Sequence, residues 1–157
     1  MVLEFIRINI RMIKHHKLVI YTDGGARGNP GPAAVGALIL DEKNEILAEY
    51  ADTIGEATNN IAEYRALILG LLRAKELGAT ELECFLDSEL VVKQLNGEYK
   101  LKNYNLQKLY DEVGKAARAF QKISFNHKRR EEEGMRRADQ LVNHALDEAE
   151  RKAARKC

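Results

Sequence analysis

The chain has 157 residues and contains no tryptophan, two prolines and two cysteines. Cys84 and Cys157 are too few for a disulfide scaffold and lack metal-ligand spacing. Long apolar runs are missing as well. The longest, Ala33–Leu40, falls far short of the roughly 18 residues a membrane span requires. Glu4, Arg7, Asn9 and Arg11 interrupt every hydrophobic stretch near the N-terminus, so no secretory leader is visible. Serine occurs only at Ser88 and Ser124, neither in a nucleophile elbow. The glycine-rich segment after Asp23 is followed by no Gly-Lys-Ser/Thr, which excludes a P-loop. What remains is a single domain without a membrane partner, expected in the cytoplasm.

The charges that are present nearly cancel, 25 Lys and Arg against 24 Asp and Glu. Their distribution is uneven. Basic residues gather late, at Lys93, Lys100, Lys102, Lys128, Arg129, Arg130, Arg136 and Arg137, whereas Asp23, Glu63 and Asp87 stand singly, often after apolar runs. One reading is a solvated surface; the other is an acidic site beside a basic surface, suited to a polyanion.

Residues 1–16 form an extension of mixed alternation that reads as an edge strand or a disordered arm, with Met12 as a second candidate start. From Lys17 the pattern sharpens over one domain, 17–157. Leu18–Asp23 is a β-branched and aromatic strand ended by a glycine-rich turn, Gly24–Pro32. Ala33–Asp41 and Glu45–Ile54 are strands joined by Glu42–Lys43–Asn44. Thr58–Asn60 opens a helix that stops at Gly78. Glu81–Asp87 is a strand, and Ser88 caps a helix ending near Gly97. Leu106, Leu109, Tyr110, Val113, Ala117 and Phe120 form one helical stripe, with Asn105 as cap. Lys122–His127 alternates as a strand, and Arg136–Arg155 is a charged helix. The order β-β-β-α-β-α-α-β-α implies an α/β fold, a mixed sheet with helices on its faces.

Three acids then occupy informative positions. Asp23 and Asp87 end the first and fourth strands, and Glu63 lies one turn into the first long helix. If those strands are parallel neighbours, both aspartates emerge at the carboxyl edge of the sheet, where open α/β folds bind ligands. Asp139, near the start of the last helix, is a fourth candidate. Singly, each has a structural alternative as a turn or cap residue. Together they would repel one another unless hard cations such as Mg²⁺ or Mn²⁺ neutralise them, and two such ions suit phosphodiester cleavage.

The residues also carry a family resemblance. Tyr21–Pro32 (YTDGGARGNPGP) resembles the opening motif of type 1 ribonuclease H, and Thr58–Glu63, Asp87–Val92 and Ala138–Asn143 resemble its second, third and fourth motifs in the family's order. The similarity runs from about Lys17 to Ala149. It implies a mixed five-stranded sheet, three antiparallel strands followed by parallel ones, with helices on both faces. It also implies that Asp23, Glu63, Asp87 and Asp139 hold two Mg²⁺ or Mn²⁺ ions and cut the RNA strand of an RNA–DNA hybrid, leaving 5′-phosphate and 3′-hydroxyl ends. Gly24, Gly25 and Gly28 would let the backbone approach the RNA, while Asn29, Thr58, Asn59 and Asn60 match substrate contacts.

Three departures accompany the resemblance. Gly97–Asn103 is too short for the basic handle some members insert, which leaves Lys100, Lys102, Arg129 and Arg130 to hold the substrate. Glu89 stands where many members carry glutamine. The loop before Asp139 lacks their histidine; His127, at the preceding strand's end, reads either as the auxiliary residue or as a structural histidine, and Arg129 or Arg130 could serve instead. Alternative readings are a relative acting on double-stranded RNA or branched DNA, and a non-catalytic hybrid-binding module. A monomer is expected.

Overall fold

The computed structural model describes residues 16–156. The extension expected over 1–16 therefore lies, His16 apart, outside the described residues, as does Cys157. Strands β1 (Lys17–Ala26), β2 (Gly31–Leu40) and β3 (Ile46–Ala57) come first. Helix α1 (Asn59–Glu76), β4 (Glu81–Leu86), α2 (Glu89–Leu95), α3 (Tyr104–Ala117), β5 (Lys122–His127) and α4 (Glu133–Arg155) follow. The order matches the sequence expectation element by element.

The five strands lie in the order β3-β2-β1-β4-β5. β1–β2 and β2–β3 are antiparallel hairpin neighbours, while β1–β4 and β4–β5 are parallel. The parallel pairs need crossovers, which α1 and the α2–α3 segment supply. One face buries Leu18, Ile20, Leu82, Cys84 and Leu86 against Tyr64, Leu67 and Leu71 of α1, with Val91, Leu106, Val113 and Phe120 completing the main core. On the other face α4 lays Val142 and Leu146 against Ala34 of β2. Cys84 is fully buried, and burial pushes its thiol well above its ordinary pKa, so it is packing rather than chemistry.

Several boundaries differ from the sequence reading; β2 begins at Gly31 rather than Ala33, and β3 runs to Ala57 rather than Ile54. β1 runs on through Gly24, Gly25 and Ala26 because each pairs with β2, Gly24 opposite Val35 and Ala26 opposite Ala33. The turn is thereby confined to 27–30. Helix α3 is capped by Asn103, not Asn105: the Asn103 side chain accepts from the N–H groups of Asn105 and Leu106 at 2.9 and 3.3 Å. Helix α4 begins at Glu133, a turn before Arg136. Ser88 caps α2 as expected, accepting from Val91, and within the expected start 58–60 it is Thr58 that caps α1, accepting from Ile61.

Candidate active site

Parallel pairing sets the two aspartates side by side. Tyr21 of β1 is in register with Phe85 of β4, so two residues further on Asp23 and Asp87 leave adjacent strands at the sheet's carboxyl edge. Glu63 is brought to them by a close approach of α1 to β1. A Cβ on Gly24 would sit 2.1 Å from the carbonyl oxygen of Ala62, so this position admits no side chain, and the Gly24 N–H donates to Glu63 Oε1 at 3.1 Å. The missing Cβ at Gly24 thus serves helix packing, where the sequence suggested approach to an RNA strand; at Gly25 a Cβ would meet only Val142, at an ordinary 3.7 Å.

Carboxylate oxygens of Asp23, Glu63 and Asp87 lie within 4.8 Å of one another. Asp139 is not part of this set, and three acids rather than the expected four share ligation distance. It stands beside them on α4: its Oδ1 is 3.9 Å from Arg130 Nε, and its Oδ2 accepts from Asn143 Nδ2 at 3.3 Å. Asp23 is 2% exposed and Glu63 6%. Burial, with the charges of Asp87 and Asp139 adding to it, pushes Asp23 up to about 7. Burial and the neighbouring Asp23 likewise push Glu63 well above the usual carboxylate range.

Asp23 Oδ1 and Glu63 Oε2 are buried without a hydrogen-bond partner. Unsatisfied buried acceptors cost stability unless something pairs with them. Two orphaned oxygens on neighbouring acids, in an all-carboxylate cluster, fit a hard divalent cation such as Mg²⁺ or Mn²⁺. The donor set offers no nitrogen or sulfur ligand that would favour a softer metal.

Residues 21–145 match the family described as reverse transcriptase-like. The N-terminal RNase H domain of a bifunctional Mycobacterium tuberculosis protein superimposes with a TM-score of 0.83 at 45% identity, covering 88% of this chain and 99% of that domain. Ribonuclease HI of Halobacterium salinarum is 43% identical over 129 residues, 82% of this chain and 64% of that protein. Its crystal structure gives a TM-score of 0.81. The chain belongs to the type 1 ribonuclease H family. A third relative, LC11-RNase H1 from compost, was solved in complex with an RNA/DNA hybrid; it is 44% identical, covers 84% of this chain and 98% of that one, and has a TM-score of 0.79. The chain spans 38% of the length of the bifunctional mycobacterial protein it matches.

Within this ribonuclease H fold, the other expected site residues fall into two groups. Asn29, Thr58, Asn59 and Asn60 come together beside the start of α1, lining a cavity of about 410 Å³. Asn29 Oδ1 accepts from the Asn59 N–H at 3.1 Å, and Asn59 Oδ1 accepts from the Ala26 N–H at 2.9 Å. These two bonds fasten the glycine turn to the helix. Asn103 and Asn105 line the same cavity and were not anticipated as site residues; Asn103 at a helix start was the available signal.

The remaining basic and acidic candidates are dispersed. Lys100 and Lys102 are exposed in the 96–103 segment. Glu89 lies on α2 and pairs with Lys93 at 3.2 Å. The His127 ring nitrogen Nε2 is 3.1 Å from the main-chain oxygen of Asp87, not its carboxylate. Arg130 does reach that carboxylate, donating from Nε to Oδ2 at 2.9 Å, whereas Arg129 is exposed with its carbonyl closing a turn to Glu132. Among the described residues no helix is long and apolar enough to cross a membrane.

Proposed function

We propose that the protein is a metal-dependent endoribonuclease that hydrolyses the RNA strand of RNA–DNA hybrids and leaves 5′-phosphate and 3′-hydroxyl ends. The observation that carries this reading is the convergence of Asp23, Glu63 and Asp87 within 4.8 Å, with two buried oxygens left unpartnered. Its context is a fold whose relatives are named ribonuclease H and whose structural neighbours include one bound to such a hybrid.

Asp23, Glu63 and Asp87 would hold one Mg²⁺ or Mn²⁺, and Asp139, with Asp87, would serve a second. Bound there, such ions supply a water of lowered pKa and neutralise charge on the phosphodiester. The chain's own part is positional. β1 and β4 fix the two aspartates, Gly24 fixes Glu63 through its N–H, and Asn143 orients Asp139. The low exposure of Asp23 and Glu63 keeps bulk water from screening the cluster.

Substrate is held by groups around this centre. Asn29, Thr58, Asn59 and Asn60 offer amide and hydroxyl groups at one end of the cleft, and such groups can read a ribose 2′-hydroxyl. Lys100, Lys102 and Arg129 supply exposed positive charge for phosphates. Gly25 and Glu89, which stand in the first and third motifs, complete the contact set. Double-stranded RNA presents the same 2′-hydroxyls and is the alternative substrate.

End-labelled RNA in hybrid, RNA duplex and DNA duplex, each with Mg²⁺, Mn²⁺ or EDTA, tests the reading. Metal-dependent cutting of the hybrid RNA, lost in Asp23→Asn, is expected. Equal cutting of duplex DNA, or cutting that survives EDTA, would refute it.

A further inference from the structure

The loop between β5 and α4 is anchored at both ends and carries a cation into the acidic cluster. At its start the Lys128 N–H donates to the Leu86 carbonyl at 2.9 Å. Lys128 Nζ donates to the Tyr21 hydroxyl at 3.1 Å and lies 4.1 Å from the centroid of the Phe85 ring, which stacks on Tyr21. At the loop's end Gly134 sits against the same tyrosine, with room for no side chain, since a Cβ would lie 2.4 Å from the ring. Between these anchors the Glu132 N–H donates to the Arg129 carbonyl at 3.1 Å. The turn so formed aims Arg130 at the site.

Arg130 Nε is 2.9 Å from Asp87 Oδ2 and 3.9 Å from Asp139 Oδ1. Among the described residues, both ion pairs made by the site's acids run to this one guanidinium. Its charge also reaches Asp23, where it opposes the upward push of burial. The Arg130 side chain is 62% exposed while that of Asp87 is 10% exposed, so the acid is fixed and the arginine has solvent to move into.

We propose that Arg130 is the resident counter-cation of the cluster, holding Asp87 and Asp139 when no metal is bound and competing with a divalent ion for those two carboxylates. The inference rests on the reading that these acids bind a divalent cation. A guanidinium is always charged and weakly hydrated, so it can neutralise a carboxylate without being a permanent ligand. It supplies one charge through a directional hydrogen bond, where Mg²⁺ or Mn²⁺ needs the same oxygen lone pairs for coordination. With the guanidinium side of the pair open to solvent, the interaction is screened and weak, so a divalent ion can displace it reversibly. In the metal-free protein Arg130 limits repulsion within the cluster; in the loaded protein it is released into solvent.

Calorimetric titration with MnCl₂, without nucleic acid, tests this on wild type, Arg130→Gln, Arg130→Lys and Arg129→Gln. Arg130→Gln is expected to bind Mn²⁺ roughly fivefold more tightly, the equivalent of about 1 kcal/mol for an exposed pair. Arg130→Lys and Arg129→Gln should stay near wild type, the first because charge is retained, the second because Arg129 makes no ion pair among the described residues. An unchanged or weaker affinity in Arg130→Gln overturns the proposal, and so does an equal gain in Arg129→Gln, which would make the effect one of net charge. Urea unfolding in EDTA gives a second readout: Arg130→Gln should unfold at a lower midpoint than wild type, and added Mn²⁺ should close the gap. A midpoint at or above wild type's overturns the proposal. Cleavage is read separately. Wild-type protein that binds Mn²⁺ but leaves hybrid intact refutes the nuclease reading alone; wild-type protein that binds no Mn²⁺ refutes both.

Discussion

Replacing Asp23 by asparagine should stabilise the metal-free protein above pH 7 while removing its catalysis. Asp23 is buried beside Glu63 and Asp87, and its pKa rises from the ordinary 3.8 to about 7. Between those values the folded protein holds a proton that the unfolded chain has released, so the unfolded state binds fewer protons and stability falls as pH rises. At about 1.4 kcal/mol per pH unit across roughly three units, the loss approaches about 4 kcal/mol above pH 7. This is an upper limit, because local relaxation and water entry recover part of it. Glu63 shifts in the same direction and adds to the trend. Asparagine removes the titration and introduces an N–H donor beside the unpartnered Glu63 Oε2.

Urea unfolding in EDTA at pH 5 and pH 8 measures this directly. With an m-value of about 2 kcal/mol/M, a gain of 2 to 4 kcal/mol moves the midpoint by about 1 to 2 M. Asp23→Asn should exceed wild type by that amount at pH 8 and by much less at pH 5. Saturating Mg²⁺ should stabilise wild type and have little effect on the variant. Equal midpoints at pH 8, or a difference that does not change with pH, would refute the reasoning.

Other expectations follow from single contacts. Gly24→Ala places a Cβ 2.1 Å from the Ala62 carbonyl; it should lose about 3 kcal/mol or more of stability in urea unfolding, the high end for overpacking, and lose cleavage as Glu63 is pushed away. Tyr64→Phe deletes a fully buried hydroxyl that donates to Gln94 Oε1 at 2.8 Å, and should cost about 1–2 kcal/mol by thermal unfolding with activity retained. Thr58→Ala removes the α1 cap at a cost of about 1 kcal/mol, and should also raise KM for hybrid more than it lowers kcat if the asparagine-lined cavity holds substrate. Doubly neutralised Lys100→Gln/Lys102→Gln should weaken hybrid binding by an amount that shrinks with salt, reducing the slope of log K against log salt by about 2.

Much of this architecture is legible in the sequence because local signals and tertiary demands coincide. Ser88 is a cap in both readings, α1 starts within the expected 58–60, and the Glu42–Lys43–Asn44 turn closes where the pattern puts it, with Asn44 at a φ of 64°. Asp23 and Asp87 could be paired in advance because a strand that ends in a carboxylate, twice, needs only parallel adjacency to bring the acids together. The glycine segment was harder to read. Gly24 and Gly25 look like turn residues, yet they continue β1, since the β2 ladder pairs with both, and α1 demands the missing Cβ at Gly24. Pattern alone assigns them to a turn; pairing with a neighbouring strand makes them strand.

The site shows the same division. Glu63, one turn into α1, meets the two aspartates because helix phase and capping fix its position relative to the β1 edge. The distance between Asp139 and the other acids depends on how α4 crosses the sheet, which no local signal encodes. Nor does any local pattern reveal that Arg130, rather than Arg129 or His127, reaches the Asp87 carboxylate: that follows from the Lys128–Tyr21–Gly134 anchor around the loop. The periodicity of α3 favours a cap nearer its apolar stripe, whereas Asn103 takes that role in the structure.

The most direct test of the central claim is anomalous diffraction from crystals of the metal-free protein soaked in Mn²⁺. A peak within ligation distance of Asp23, Glu63 and Asp87 is predicted, together with Arg130 displaced from Asp87. Full occupancy of manganese elsewhere on the protein, with these three carboxylates bare, would contradict it.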